Sequence, residues 1–343
     1  MEKTRIDLRS DTVCKPTPQM LKAMMSAEVG DDFFDDDPTV KALESKIADM
    51  FGMEAALFCT SGTMTNQLAI RVHCSPGSEV ICDEISHIYQ YEGGGIALNS
   101  FSSVKTLIGD RGRITSAQVE GAINNVNDIH QPLSKLVSLE NTVNKGGGCI
   151  YNIDEIIKIK EVCKKHNLKL HLDGARLFNA LIETNENPTL YGRLFDTISI
   201  CLSKGLGCPI GSLLLGTKEI IQQAKRFRKV MGGGWRQAGY LAAAGIYALD
   251  NHIERLKDDH HRAKTIGNLL SRKEFVKNIY PIETNIVIVE LADSNKAKDF
   301  VANFAKSNIF CVSFGKNLVR FVTHLDFNDD QLELFEKSLI NLN

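Results

Sequence analysis

The chain has 343 residues, and 40 Lys and Arg against 42 Asp and Glu give it a formal net charge of −2. At roughly 150 residues per domain, this length predicts about two domains and a large core. The near balance of charges argues against bulk attraction to nucleic acid or to an anionic membrane, so we expect neither as a partner. The sequence contains no run of about 20 apolar residues, so we also expect no membrane span.

The nine cysteines are scattered, and no two have CxxC spacing, which excludes a zinc ribbon and a thioredoxin-like motif. Such a distribution is typical of reduced and mostly buried thiols. The opening residues MEKTRIDLRS contain no apolar segment of the kind that signal peptides carry. We therefore expect a cytoplasmic protein, and the sequence predicts no metal site.

Short apolar runs alternate with helical periods over about the first 250 residues. The runs expected to be strands are AALFC (55–59), EVICD (79–83), VKTLI (104–108), KLVSL (135–139), KLHLD (169–173), DTISIC (196–201) and IGSLLL (210–215). Residues 39–51 are expected to form a helix, with Asp37 as its cap, Pro38 in its first turn and Gly52 at its end. Residues 154–166 also have a helical period. Apolar strands between helices predict an α/β domain with a mostly parallel sheet covered by helices on both faces.

The pattern changes after about residue 250. We expect a long surface helix over 252–271 that could connect two domains, strands over 284–291 and 318–323, and a final helix over about 328–342. The sequence therefore predicts two domains. The first covers residues 1–250 and includes an N-terminal arm, and the second is a smaller α+β domain over 251–343.

Three motifs carry groups suited to catalysis. CTSGTMTN (59–66) turns from a strand into a helix, whose free amides and dipole attract phosphate, although a plain capped helix has the same pattern. Asp173 ends an apolar strand, where open α/β sheets place ligand groups, although it could also cap a helix. Arg176 follows closely and could fork onto a carboxylate or a phosphate.

Lys204 follows another apolar strand and precedes two glycines. A buried lysine has a depressed pKa and can form a Schiff base, whereas most lysines on loops are simply solvated. A phosphate-binding turn, an aspartate and a lysine, in that order, are the set that a pyridoxal phosphate enzyme requires.

Taken together, the motifs resemble those of the threonine aldolases, in the beta-eliminating lyase group of the aspartate-aminotransferase-like (fold type I) pyridoxal phosphate enzymes. The matching stretches are IDLRSDTVCKPT (6–17), DDPTVKALE (36–44), SGTMTN (61–66), SHIYQYEGGG (86–95), LVSLENT (136–142), HLDGARLFNA (171–180), CLSKGLGCPIGS (201–212), GGGWRQAG (232–239) and VRFVTH (319–324). They run in order across nearly the whole chain, and the set is far more specific than any one motif.

The resemblance implies a cofactor site for pyridoxal 5'-phosphate. Lys204 matches the lysine that forms the imine with the cofactor, and Asp173 matches the aspartate on its ring nitrogen. Gly62 and Thr63 match the turn that cradles the phosphate, and His87 matches the histidine stacked on the ring.

The resemblance also implies groups around the substrate. Ser10, Arg176 and Arg320 match residues that hold the amino-acid carboxylate. Further matched positions are Tyr91 and Glu92, polar residues near the site, His130, a second active-site histidine, and Lys229 and Arg236, basic residues that reach a neighbouring subunit's phosphate. Sharing of this kind implies a homotetramer, a dimer of dimers.

The implied reaction is retro-aldol cleavage of L-threonine or L-allo-threonine to glycine and acetaldehyde through an external aldimine. The substrate would be a small-molecule beta-hydroxy amino acid, and the base is His87, His130 or a water that either one holds. Two alternatives remain. One is a phenylserine-type aldolase or another beta-eliminating lyase. The other is a catalytically silent binding module, which the intact Lys204, Asp173 and His87 argue against.

The chain also departs from the family pattern at a few positions. Val143 stands where the family usually has His, Phe34-Asp35 where it often has Tyr-Gly, and Trp235 where a smaller side chain or Met is usual. None belongs to the cofactor set, so the departures bear on substrate preference.

Overall fold

The computed structural model describes residues 5–293 and 296–340 of the chain. Its strands are β1 (Ile6–Asp7), β2 (Ala55–Cys59), β3 (Ser78–Asp83), β4 (Ser103–Leu107), β5 (Leu133–Glu140), β6 (Lys169–Gly174), β7 (Thr197–Cys201), β8 (Ser212–Gly216), β9 (Val276–Ile279), β10 (Ile286–Leu291), β11 (Ile309–Phe310), β12 (Val312–Ser313) and β13 (Leu318–Val322). Its helices are α1 (Pro18–Met25), α2 (Pro38–Phe51), α3 (Gly62–His73), α4 (His87–Gln90), α5 (Gly95–Ser100), α6 (Ser116–Ala122), α7 (Ile153–Lys165), α8 (Leu177–Thr184), α9 (Pro188–Leu194), α10 (Lys218–Val230), α11 (Gly239–Asn251), α12 (Leu256–Leu270), α13 (Ala297–Lys306) and α14 (Asp329–Ile340).

A seven-stranded sheet organises the larger part of the chain, in the order β2-β8-β7-β6-β5-β3-β4. Strand β8 is antiparallel to both of its neighbours, and the other pairs are parallel. Strands β2, β3, β5, β6 and β7 therefore end at the same edge. Strands β3, β7 and β8 are buried along their whole length, as strands covered on both faces should be. The predicted mostly parallel α/β sheet is confirmed, with each predicted strand within two residues of its observed bounds.

Helix α2 forms for the reasons visible in its sequence. Asp37 accepts hydrogen bonds from the amides of Thr39 and Val40 at 3.1 and 2.9 Å, which satisfies two free donors of the first turn. Gly52 ends the helix at φ 63°, a left-handed conformation that favours glycine.

A second core lies under the four-stranded antiparallel sheet β12-β13-β10-β9. Ile6 and Leu8 of the N-terminal arm are buried in this core, and β1 pairs in parallel with β11. Helix α12 joins the two cores, since Leu256 packs in the first and Ile266 in the second. The helix expected at the surface therefore has a buried stripe.

The domain division at residue 250 stays a prediction, and the arm assigned to the larger domain packs on the smaller one. The end predicted for the last helix, at residue 342, lies outside the described residues. All nine cysteines are free, and eight are buried, as predicted. No helix in the described ranges is long and apolar enough to cross a membrane.

Candidate active site

The three motifs singled out in the sequence meet at the edge where the parallel strands end. Asp173 lies near the end of β6, directly opposite Glu140 at the end of β5. Lys204 follows the end of β7 by three residues, and Gly62 begins α3 shortly after β2. This edge is where open α/β sheets bind ligands, because the loops that leave the strands converge there.

Asp173 is buried and held by hydrogen bonds on both oxygens. Its Oδ2 accepts from Asn66 Nδ2 at 2.9 Å, and its Oδ1 accepts from the Ala175 amide at 3.1 Å. The same Asn66 nitrogen donates to Glu92 Oε1 at 2.8 Å. Asn66 therefore fixes two buried carboxylates at once.

His87 is positioned by two other carboxylates. Its backbone amide donates to Glu140 Oε2 at 2.8 Å, and its Nδ1 lies 3.0 Å from Glu92 Oε1. Burial lowers the pKa of His87, but the hydrogen bond with Glu92 and the charges of Asp173 and Glu140 outweigh burial and raise it. Burial, together with the charge of Asp173, raises the pKa of Glu140. The ring of Tyr91 lies 5.6 Å from that of His87.

Ligand atoms of His87, Glu92 and Asp173 all lie within 4.8 Å of one another. A buried group of this kind complements a positive charge, which could be a metal ion or a protonated ring nitrogen. Both carboxylates already accept side-chain amide hydrogen bonds, Asp173 from Asn66, and Glu92 from Asn66 and Gln67.

Lys204 lies against the thiol of Cys201, the last residue of β7, and this thiol packs beside the start of α3. Its Nζ is 3.6 Å from Cys201 Sγ. A Cβ on Gly62 would come within 2.5 Å of that sulfur, so only glycine lets the helix begin this close to β7. Among the described residues, the amides of Gly62 and Thr63 take no hydrogen bond, while Ser61 Oγ accepts from Met64 at 3.2 Å. Free amides at a helix N-terminus can bind an anion, and these two lie close to the lysine.

Arg320 reaches the same region from β13 of the smaller unit. Its Nη1 donates to Asn144 Oδ1 at 2.8 Å, and its Nη2 donates to the Arg9 carbonyl at 2.9 Å. Its Nε is buried without a partner in the described structure. Burial and the nearby charge of Arg176 lower the pKa of Arg320 to about 10. A half-buried arginine with a buried and unused N–H can bind an anionic ligand.

Arg176 is already paired. Its Nε and Nη2 donate to the two oxygens of Asp11, each at 2.7 Å, and the two side chains are 6% and 0% exposed. The fork expected to grip a carboxylate or phosphate is thus taken by the N-terminal arm. Burial alone would raise the pKa of Asp11, but Arg176 holds it well below its usual range. Ser10 precedes Asp11 and accepts from the Thr12 amide at 3.2 Å, which places its hydroxyl beside this pair.

His130 lies away from the site within its own chain. It is 88% exposed, bonds Asp128 at 2.9 Å and precedes the first residue of β5. The site is at the other end of β5, roughly 23 Å away at about 3.3 Å per residue. A role for His130 in catalysis therefore requires a second copy of the chain, and it stays a prediction.

Lys229 and Arg236 lie together over one exposed aromatic ring. They are 4.8 and 5.4 Å from the centre of Phe33, and Arg236 also bonds Asp31 at 2.9 Å. Their predicted approach to a neighbouring subunit's phosphate likewise needs a second copy and stays a prediction.

The sequence motifs give no role to Asn66, Asp11, Glu140 or Asn144. Asn66 had a visible signal, because Thr65, Asn66 and Gln67 form a polar run directly before the apolar residues 68–70, and all three are buried. Asp11 had none, since its partner is 165 residues away.

Residues 7–294 match the family model described as beta-eliminating lyase. The chain belongs to the beta-eliminating lyase family. This lyase is 41% identical over 328 residues to the low specificity L-threonine aldolase of Escherichia coli strain K12, covering 95% of this chain and 96% of that protein. It is 40% identical over 335 residues to the probable low-specificity L-threonine aldolase 2 of Arabidopsis thaliana, covering 96% and 94%. The solved threonine aldolase of Leishmania major shares its fold, with a TM-score of 0.84 over 98% of this chain and 99% of that one at 22% identity.

Proposed function

We propose that this lyase is a pyridoxal phosphate-dependent aldolase that cleaves L-threonine or L-allo-threonine to glycine and acetaldehyde. The observation that carries the proposal is the meeting of Lys204, Asp173 and the free amides of α3 at one sheet edge. It is supported by relatives about 40% identical along nearly their whole length, whose names give this activity.

The residues at this edge fit the cofactor. The amides of Gly62 and Thr63 would hold its phosphate, Asp173 its ring nitrogen, His87 a face of its ring and Lys204 its aldehyde carbon. When bound, pyridoxal phosphate supplies an aldehyde that condenses with amines and a ring that accepts electrons from a broken bond. Asp173 would favour a proton on the ring nitrogen, because its carboxylate is held in place by amide hydrogen bonds on both oxygens.

Arg320 would bind the carboxylate of the amino acid. Its unused Nε would donate to one carboxylate oxygen and Ser10 would offer a hydroxyl, while the fork of Arg176 remains on Asp11. Fixing the carboxylate would orient the α-carbon, and an aldolase requires that the Cα–Cβ bond be the one aligned for cleavage.

His87 is the histidine that one chain brings to the reacting groups. Since Glu92 holds Nδ1, Nε2 is the ring nitrogen left to take the β-hydroxyl proton, directly or through a water. Glu92 and the surrounding carboxylates stabilise the protonated ring, as the raised pKa of His87 reflects.

The proposed assembly is a homotetramer, a dimer of dimers, in the cytoplasm. Free cysteines support a reducing compartment. The exposed side chains of Phe33, Phe34 and Val230 adjoin Lys229 and support a contact between copies at this surface.

The test is an acetaldehyde-release assay on L-threonine, L-allo-threonine and D-threonine, with benzaldehyde release from phenylserine in parallel. We expect activity on the two L-threonine isomers and its loss in Lys204→Ala, while Lys257→Ala, which changes a lysine with a 62% exposed side chain, keeps it. Preference for phenylserine would assign the enzyme to the phenylserine type. Turnover by Lys204→Ala at the wild-type rate would refute the site.

A further inference from the structure

A continuous chain of buried hydrogen bonds runs beneath Asp173. Asn66 Nδ2 donates to Asp173, and Asn66 Oδ1 lies 3.1 Å from His171 Nε2. His171 Nδ1 lies 2.9 Å from Thr197 Oγ1, which in turn lies 3.0 Å from His73 Nε2. Asn66, His171 and Thr197 are buried, so the contacts among them are made away from water, and the chain of bonds ends at the half-buried His73.

The chemistry of the groups sets the direction of these bonds. Asp173 and Glu92 are acceptors, so the side of the Asn66 amide that faces both must be its NH2 group. The oxygen of Asn66 then faces His171, and Nε2 of that ring must carry a hydrogen. Burial lowers the pKa of His171 to about 4, so the ring is neutral near pH 7 and its Nδ1 is an acceptor. Thr197 therefore donates to Nδ1.

We propose that His171 is a positioning residue for Asp173: its Nε2–H locks the Asn66 amide so that both amide hydrogens face the carboxylates of Asp173 and Glu92. His171 touches neither carboxylate itself. The inference deepens the proposed function, because it rests on Asp173 facing the ring nitrogen of a bound cofactor.

Thr197 supports the tautomer of His171 that Asn66 requires. The Thr197 backbone carbonyl is 3.2 Å from His171 Nδ1 and would accept a hydrogen from it. With the Thr197 hydroxyl donating to Nδ1, that alternative is blocked. Without the hydroxyl, Nδ1 could donate to this carbonyl instead, but Nε2 would then give up its bond to Asn66 Oδ1, so the two tautomers would compete.

The first experiment replaces the ring in the full-length holoenzyme. We expect His171→Leu to raise the dissociation constant for pyridoxal phosphate about 10-fold and to lower kcat about 10-fold. A change of this size is typical when a hydrogen bond is lost, and here the lost bond holds Asn66 against the charged Asp173. KM for threonine should change less than about 3-fold, since Arg320 and Ser10 are untouched. His171→Gln should recover most of both losses, because its amide can donate to Asn66.

His260→Leu is the matched control. It removes another buried histidine, bonded to Asn179 and Glu183, outside this chain of bonds. It should cost stability yet leave cofactor affinity unchanged. Equal cofactor affinity in His171→Leu and wild type, or failure of His171→Gln to improve on His171→Leu, would overturn the proposal.

A second measurement does not depend on turnover or on the leucine variant folding. Nitrogen-15 spectra of the histidine rings should show His171 as the Nε2–H tautomer in wild type, with a larger share of the Nδ1–H tautomer in Thr197→Val. An Nδ1–H or doubly protonated ring in wild type at pH 7.5 would refute the positioning role. If wild type binds pyridoxal phosphate but releases no aldehyde, the proposed aldolase activity fails while the tautomer and affinity results still decide the role of His171.

Discussion

Replacing Asp11 with alanine tests how the N-terminal arm supports the site. The change would leave Arg176 buried with no anionic partner for its Nε and Nη2, which Asp11 now binds at 2.7 Å each. Asn285 would lose a weaker contact to the same carboxylate at 3.3 Å. We therefore expect a loss of stability together with a weaker grip on the substrate carboxylate.

The magnitude follows from burial. Side chains 6% and 0% exposed place the Arg176–Asp11 pair among buried ion pairs, where removal of one partner typically costs about 3–5 kcal/mol. With an unfolding entropy of about 2.1 cal/mol/K per residue, the 343-residue chain would lose roughly 4–7 °C in Tm. Urea unfolding gives the free energy directly, and KM for threonine should rise because Ser10 loses its neighbour.

Asp250→Ala is the matched control for Asp11→Ala. Asp250 pairs with Lys46 at 2.6 Å, but the two side chains are 49% and 35% exposed, and such pairs contribute about 1 kcal/mol or less. The double variant Asp11→Leu, Arg176→Met should recover much of the stability, because it leaves no charge unpaired. If Asp11→Ala were no more destabilising than Asp250→Ala, the pair would not hold the arm and the reasoning would be wrong.

Three further changes address the remaining groups. Asp173→Asn should lower kcat roughly 100-fold or more with little effect on urea unfolding, since an amide cannot stabilise the ring proton; a wild-type rate would contradict that role. Burial lowers the pKa of His171 from 6.5 to about 4, so this residue contributes stability that is complete above pH 6.5 and is lost as pH falls toward 4. Between pH 7.5 and 5 the loss is about 2 kcal/mol, and urea unfolding of His171→Gln should show a correspondingly shallower slope. His130→Phe should change the ratio of kcat/KM for L-threonine and L-allo-threonine by roughly 5- to 150-fold, and mixing it with Lys204→Ala subunits should restore the wild-type ratio if the site is shared; an unchanged ratio would make His130 structural.

Much of the fold and the chemical centre follow from local sequence. Strand β2 has the bounds that its apolar run predicts, and Asp37 and Gly52 terminate α2 as expected. Lys204 and Asp173 are predictable because each follows or ends an apolar strand, and parallel strands bring their carboxyl ends to one edge. These features depend on neighbours within a few residues, which is the range that sequence patterns report.

The residues that hold the site in place depend on contacts between distant parts of the chain, which local sequence patterns do not predict. Arg176 has the spacing of a ligand-binding arginine, yet its fork is occupied by a residue 165 positions earlier. Asn144 and Arg320 meet across 176 positions. His130 is the opposite case. The family resemblance predicts that it lies in the active site, but within one chain it is exposed and lies beyond the far end of β5. The three-dimensional structure is needed to distinguish residues that reach the site of their own chain from residues that could reach only the site of a second copy.

The N-terminal arm links the two units at the point where the substrate carboxylate would bind. Ile6 and Leu8 are buried in the second core, which fixes the arm on the smaller unit. Arg320 of that unit donates to the Arg9 carbonyl, and two residues later Asp11 binds Arg176 of the larger unit. Because both arginines are held through the same short segment, a shift of the smaller unit would move the arm and Arg320 together. The relative position of the two arginines is thus fixed through residues 9–11. An apolar contact in place of the Arg176–Asp11 pair could be as stable, but it would not fix the direction of the Arg176 side chain in this way.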